Sequence, residues 1–301
     1  MGHYFPSLYP GEIFYSVCAR YLSHLRYTDK KFAKSELLQP YTISIYFPRN
    51  ITALCDKYQI EIPSIEEIIN KHTIFPLLRI FLSKEHAYLN NYKDPSKIWS
   101  IPALKSYIDT HKNYRLRFCK DCVIDDRKTY GEGYWHILHQ VPWINICYKH
   151  SIFLHTPIYP RKNLINNFIS LEDTLSKYKI KYLYKVRSIL YMLSDTLFIF
   201  NEQPTISFDK ISNSIRSIIL DRGYTRTGIS ISHKALYNKI IDSYSKQTID
   251  FLYSSKTISK KNVSIMIIQD NITRSRAVAY LVLSHLLGCT LQDIIKNCMN
   301  T

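Results

Sequence analysis

Residues 117–150 read RFCKDCVIDDRKTYGEGYWHILHQVPWINICYKH, and two short clips within them decide the fold. Cys119-Lys-Asp-Cys122 is followed, after 24 residues, by Cys147-Tyr-Lys-His150. Two tight knuckles of this kind gather four soft or borderline donors tetrahedrally around one zinc ion, at about 2.3 Å to sulfur and about 2.0–2.1 Å to nitrogen. A Cys3His site on Cys119, Cys122, Cys147 and His150 is therefore predicted. Protein donors fill all four positions, so the one Zn2+ is structural, and its binding free energy counts as folding free energy. Three thiolates leave such a centre near minus one, a charge that Arg115, Arg117, Lys120 and Lys149 are placed to offset. Free cysteines are often plain packing residues, but scattered packing residues do not generate paired knuckles. That plainer reading suits Cys18, Cys55, Cys289 and Cys298.

Between the clips, His136 and His139 stand three apart, with Asp125 and Glu132 nearby, and a second metal or acid–base site is one reading of them. The stronger reading makes Tyr134, Trp135 and Trp143 a small aromatic core, with His139 and Gln140 satisfying buried backbone groups. The helical period is lost across 113–160, so metal is expected to stand in for core there. No nucleophile–base order, H-E-x-x-H or carboxylate triad stands out elsewhere, and a catalytic site is not expected.

On the N-terminal side the chain reads as short helices. Pro10 suits a first turn, and Gly11 to Leu25 sets Ile13, Phe14, Val17, Tyr21 and Leu25 on one face. Asp29 caps a basic segment through Leu38, Asn50 starts a helix carrying Ile51, Leu54 and Tyr58, and Ser64-x-x-Glu67 forms a capping box for Ile65 to Lys71. Pro76 is expected to break a simple helix in the apolar run 72–82. On the C-terminal side, Leu183, Val186, Leu190, Leu193 and Leu197 form one stripe and Ile211, Ile215, Ile218 and Ile219 another. Gly223 ends the second helix, the basic loop 221–228 follows, and Ser232 caps a helix to Tyr244 with Leu236, Ile240 and Ile241. Thr273 to Leu287, Gly288, and a helix opened by Thr290 and Asp293 repeat that outline, which is that of a helix-turn-helix.

The fold class expected is mainly α, in three parts: an N-terminal helical domain over 1–112, a zinc-finger segment over 113–160, and a C-terminal helical region with helix-turn-helix-like units over 161–301. Seven glycines in 301 residues, with no G-x-x-x-x-G-K-[ST] or G-x-G-x-x-G, exclude a P-loop or Rossmann nucleotide site. Hydrophobic residues make up 46%, so a real core is available. The opening residues lack a signal-peptide pattern and no apolar run is long enough to span a bilayer, so a cytoplasmic, nucleoid-associated protein with no membrane partner and no small-molecule substrate is expected. The net charge of +16 divides as +6 over 1–155 and +10 over 156–301. The second half is the expected polyanion surface.

The finger residues resemble a known family. Arg117-Phe-Cys119-Lys-Asp-Cys122, Tyr130-Gly-Glu-Gly-Tyr-Trp135, His139-Gln140-Val-Pro142 and Cys147-Tyr-Lys-His150 are similar to the zinc-finger signature of the TniQ/TnsD family of transposon target selectors. Pro10-Gly-Glu12, Ser16 and Arg20 resemble its N-terminal P-x-E-x-x-x-S-x-x-x-R helix. Lys71-His-Thr-Ile-Phe-Pro76, and Arg222-Gly-Tyr224 with Ser232-His-Lys-Ala-Leu236, resemble the TnsD branch. The resemblance implies a non-catalytic adaptor that binds double-stranded target DNA, or a guide-RNA effector complex, and recruits an AAA+ ATPase of the TnsC type. It further implies that the helix with Glu12 and Arg20 faces the ATPase and that the units after the finger face DNA. Arg222, Arg226, Lys234, Arg274 and Arg276 are the basic residues placed for phosphate or base contact. TnsD-type proteins run well past 301 residues, so this chain reads as a short TniQ-like member or the N-terminal part of a longer selector. A zinc-stabilised helix-turn-helix transcription regulator is the alternative, and a nuclease using His136 and His139 a more distant one.

Overall fold

The computed structural model describes residues 4–25, 37, 45–47, 51–58, 64–82, 116–158, 168–182, 190–225, 231–245, 248 and 276–300. Arg115, Arg226, Arg274, the segment opened by Asp29, and Leu183 and Val186 lie outside them. The described residues are mainly helical. The chain divides into two compact units, Met1–Phe75 with Asn91–Lys185, and Pro76–Asn90 with Val186–Thr301. The helical and zinc-finger segments expected as separate domains thus share one unit.

In the first unit, α1 (Phe14–His24) is buried around its whole circumference from Phe14 to Leu22. The expected single stripe understates it, and Leu25, assigned to that stripe, is exposed. Pro10 stands before the helix rather than in its first turn, because Gly11 turns the chain at φ +67°. The reason for burial on both sides is a backbone clasp. Ile13 N–H donates to Trp135 O at 3.0 Å and Ile137 N–H to Gly11 O at 2.8 Å, pairing Glu12 with His136. Trp135 N–H donates to Ser16 Oγ, and its indole N–H to Ile169 O. The Trp135 side chain, fully buried, fills the space beneath.

Helices α2 (Ile51–Tyr58) and α3 (Ile65–His72) pack on each other, and α2 buries Ile51, Leu54, Cys55 and Tyr58 as its periodicity predicts. Ser64 accepts from Glu67 N–H, while the Glu67 carboxylate takes Lys71 instead of closing the box. The run 72–82 is not one helix, as expected: α3 ends at His72, and Pro76 sits in the first turn of a new short helix, α4 (Phe75–Arg79), where its missing N–H costs nothing. The finger contributes α5 (Lys120–Tyr130), α6 (Ile137–Gln140), β1 (His155–Pro157), α7 (Leu171–Lys177) and β2 (Ile180–Tyr182), with β1 and β2 antiparallel and His155 opposite Tyr182. An eleven-residue helix therefore stands where the helical period was read as lost. Leu116, Phe118, Trp135, Ile137, Val141 and Leu154 give the segment a core of its own, so metal does not replace core there.

The second unit holds α8 (Leu190–Glu202), α9 (Phe208–Asp221), α10 (His233–Ser243), α11 (Arg276–Leu286) and α12 (Leu291–Asn300). The buried stripe of α8 is Met192, Asp195, Thr196 and Ile199, not the expected leucines, since Leu190 is exposed. On α9 Ile211, Ile215 and Ile219 are buried as read, Phe208 joins them, and Ile218, assigned to that stripe, is only half-buried. Gly223 and Gly288 adopt φ +77° and +66°, and the Tyr224 and Cys289 N–H groups reach back to Ile219 O and Ser284 O, the closing bonds of Schellman caps. From α9 to α10 runs an eleven-residue connection, 222–232, and α10 packs on α11. Of the two expected units, the second, α11 and α12, joined through 287–290 and packed together, has the short turn of a helix-turn-helix. The start of α12 is closed twice: by the Thr290–Asp293 box, and by the buried Asp195 carboxylate, which accepts from Leu291 and Gln292 N–H at 3.1 and 2.9 Å. Among the described residues, no helix is long and apolar enough to cross a membrane.

Glu12 and Arg20 give the first unit a buried ion pair, 0% and 1% exposed. Arg20 Nε and Nη2 donate to the two Glu12 oxygens, each at 2.9 Å, Nη1 donates to Glu132 Oε1, and Nη2 also to Ser7 O. Replacing Arg20 by Met, which strands the Glu12 carboxylate, is expected to cost about 3–5 kcal/mol. Glu12→Leu should behave likewise, and the double variant should lose much less than the sum of the two, as read by denaturant unfolding.

Candidate metal centre

Each knuckle is built by ordinary backbone bonding. Phe118 and His155 exchange N–H···O bonds of 3.0 and 2.8 Å, which seats Cys119 at the N-cap of α5, and Cys122 follows in the first turn. The aligned amides of a helix start favour negative charge, so two thiolates are well placed there. In the second knuckle Cys147 N–H donates to Ile152 O and Ser151 N–H returns to Cys147 O, with Ser151 at φ +55°. The chain folds back so tightly that His150 turns its Nδ1 toward the sulfur three residues behind it and the two of the first knuckle.

The four expected ligand atoms all lie within 4.8 Å of one another. Cys122 Sγ is 3.6 Å from Cys147 Sγ, and His150 Nδ1 is 3.4, 3.3 and 3.7 Å from the sulfurs of Cys119, Cys122 and Cys147. A tetrahedral zinc with bonds of about 2.3 Å to sulfur requires edges of about 3.8 Å, so the spacing fits a metal ion. Hydrogen bonds from Cys119 and Cys122 drive the Cys147 thiol far down, while those with Cys119 and Cys147 push the Cys122 thiol up. A bound divalent cation would hold its cysteine ligands as thiolates. The sulfurs are buried and His150 is half-buried.

The expected compensating charges are arranged differently. Arg117 is buried and spends its guanidinium on the carbonyls of Gln140, Pro142 and Ile144, so it organises the 140–144 turn instead of facing the metal site. Lys149 pairs with Asp125 at 2.6 Å, and that hydrogen bond holds the Asp125 carboxyl below its usual range. Lys120 is exposed at the start of α5.

The second constellation does not converge. Glu132 joins Arg20, His24 and Tyr9; His136 joins Asp126 at 2.9 Å; Asp125 joins Lys149 and His150. His139 is fully buried and neither ring nitrogen has a hydrogen-bond partner, so it satisfies no backbone group and offers no open position for a substrate. Gln140 does act as expected, accepting from Arg117 N–H and donating to Arg117 O. Tyr134, Trp135 and Trp143 form the aromatic interior as read. Asp125, read in the sequence with His136 and His139, stands instead beside the cluster, at His150; Asp195 escaped the sequence, since no local pattern existed for it.

Glu12 and Arg20, expected to face an ATPase, point into the interior, and their side chains present no surface to a partner. Of the expected DNA contacts, Arg222 is exposed at the end of α9, its guanidinium against the Gly288 turn, where an added Cβ would lie 3.5 Å from Nη1. Lys234 is exposed in the first turn of α10, and Arg276 opens α11.

Set against known proteins, the TniQ family model matches residues 3–154, which include the Glu12–Arg20 helix and all four cluster residues. Transposon Tn7 transposition protein TnsD of Escherichia coli is 25% identical over 158 residues, 49% of this chain and 30% of that protein. The match therefore spans less than a third of that relative's length.

Burial, reinforced by the His136 ring, holds the His139 imidazole well below its ordinary value of 6.5. The unfolded chain takes up a proton below that value and the folded chain refuses it, so stability falls as pH drops through 6.5. His139→Leu is expected to remove that share of the slope without loss of stability above it, measured by denaturant midpoints on either side of that pH.

Proposed function

The chain belongs to the TniQ family, and from that premise we propose that it is a non-catalytic target selector for DNA transposition, which marks a target and recruits an AAA+ ATPase of the TnsC type. The observation that carries this reading is the family match over 3–154, which covers both the Glu12–Arg20 core and the ligand cluster. The likeness to TnsD of transposon Tn7 supports the transposition role.

The cluster on Cys119, Cys122, Cys147 and His150 would hold one structural Zn2+. When bound, zinc supplies a closed, four-coordinate centre that ties the start of α5 to the second knuckle; no site is left for substrate. The ATPase-facing role passes from Glu12 and Arg20 themselves to the surface that their pairing shapes. Double-stranded DNA is the proposed partner of the helical region after the finger, and residues 156–301 carry a +10 balance. Arg222 and Lys234 are exposed there, and Arg226, Arg274 and Arg276 are the further proposed contacts.

A mobility-shift series on candidate attachment DNA, with and without a TnsC-type ATPase, tests this. Affinity is expected to fall steeply with salt, and Arg222→Ala or Lys234→Ala each to lower the log–log salt slope by about 1. ATPase capture without DNA affinity would move the target mark to a guide-RNA effector complex. DNA affinity with no ATPase capture would favour a transcription regulator.

Cys122→Ser is expected to abolish zinc in elemental analysis. Because the finger clasps α1, amide exchange should rise in residues 4–25 as well as in 116–158, rather than in the knuckles alone.

A further inference from the structure

We propose that Asp125 is a positioning residue of the metal centre, whose carboxylate fixes the tautomer and ring orientation of His150 so that Nδ1 meets the ion bare. The inference rests on the reading of the cluster as a metal site. Asp125 Oδ2 lies 3.2 Å from His150 Nε2 and 2.6 Å from Lys149 Nζ. An ionised carboxylate can only accept, so Nε2 carries the hydrogen, and in a neutral imidazole the lone pair then sits on Nδ1. Nδ1 is the nitrogen 3.3 to 3.7 Å from the three sulfurs. Asp125 is not itself a donor to the cluster, which is complete with four ligand atoms.

The placement follows from short-range geometry. Asp125 lies three residues beyond Cys122 on α5, and residues three apart share a helix face. The helix that delivers a thiolate therefore also delivers the carboxylate. From the other knuckle comes Lys149, adjacent to His150, as second donor to the same oxygen. Without the carboxylate, His150 would have to select its tautomer and hold its ring at the expense of binding. The competing role has Asp125 only tying the knuckles together through Lys149, and the experiment separates the two.

Zinc affinity of the full chain is measured by competition with a chromophoric chelator. Asp125→Ala is expected to weaken zinc binding by about 10–100-fold. In a His150→Cys background the same substitution should change nothing, because a thiolate has no second nitrogen to orient. Unchanged affinity in the parent background overturns the proposal, as does an equal loss in the His150→Cys background, which would assign the effect to Lys149 alone. If His150→Cys does not fold, the cobalt-loaded Asp125→Ala chain decides: shifted ligand-field bands are expected, and a spectrum identical to the parent's overturns the proposal. A parent chain that takes up no zinc sinks the metal reading with it, whereas zinc uptake indifferent to Asp125 sinks this inference only.

Discussion

A charged pair taken out of water persists only when nearly every polar atom around it is engaged, and Glu12 with Arg20 meets that condition. The guanidinium meets both oxygens of Glu12, one of Glu132 and a backbone carbonyl, and it lies 3.8 Å over the Tyr9 ring. Tyr9 N–H completes the Glu12 carboxylate, and His72 Nδ1 approaches the Glu12 carbonyl at 2.7 Å. Burial itself lifts the Glu12 carboxyl above its ordinary range, and these donors work against that rise. One pair thus ties the N-terminal arm, α1, α3 and the finger loop into a single arrangement.

The pair and the ligand cluster lie at opposite ends of one strut. Helix α5 starts at the two finger cysteines and ends just before Glu132, and eleven residues at 1.5 Å each span about 16 Å. Fixing one end of such a rod restricts the other. The α7 helix braces it from the side, since Glu172 accepts Gly133 N–H and pairs with Arg127 on α5. This is why the finger is better described as part of the first unit's core than as a module beside it.

What the sequence disclosed was local. Cys-x-x-Cys and Cys-x-x-His, the Ser64, Ser232 and Thr290 caps, the glycines after α9 and α11, and the stripe on α9 depend on spacings of four residues or fewer, and all are found in the structure. The misreadings share a different cause. Glu12 and Arg20, expected on an ATPase-facing helix, are covered by residues 132–137, more than a hundred positions onward. Arg117 was read as compensating charge because its carbonyl partners form a turn that only exists once folded. Helix α5 hid behind its polar composition, since Asp121, Asp125, Asp126, Arg127 and Lys128 carry no apolar period. Asp195 caps a helix that begins 96 positions further on, which no window-based reading can foresee.

Glu12, Ser16 and Arg20 stand at intervals of four, and all three reach toward the finger: Glu12 by its backbone bridge, Ser16 through Trp135 N–H, Arg20 through Glu132. A residue inserted or deleted between Glu12 and Arg20 would turn one part of that face by about 100° relative to the other. Length variation is thereby barred from this stretch even where exchange of side chains is tolerated. The reading frame of the helix, more than the identity of its residues, is what any lengthened or shortened version of this segment would have to preserve.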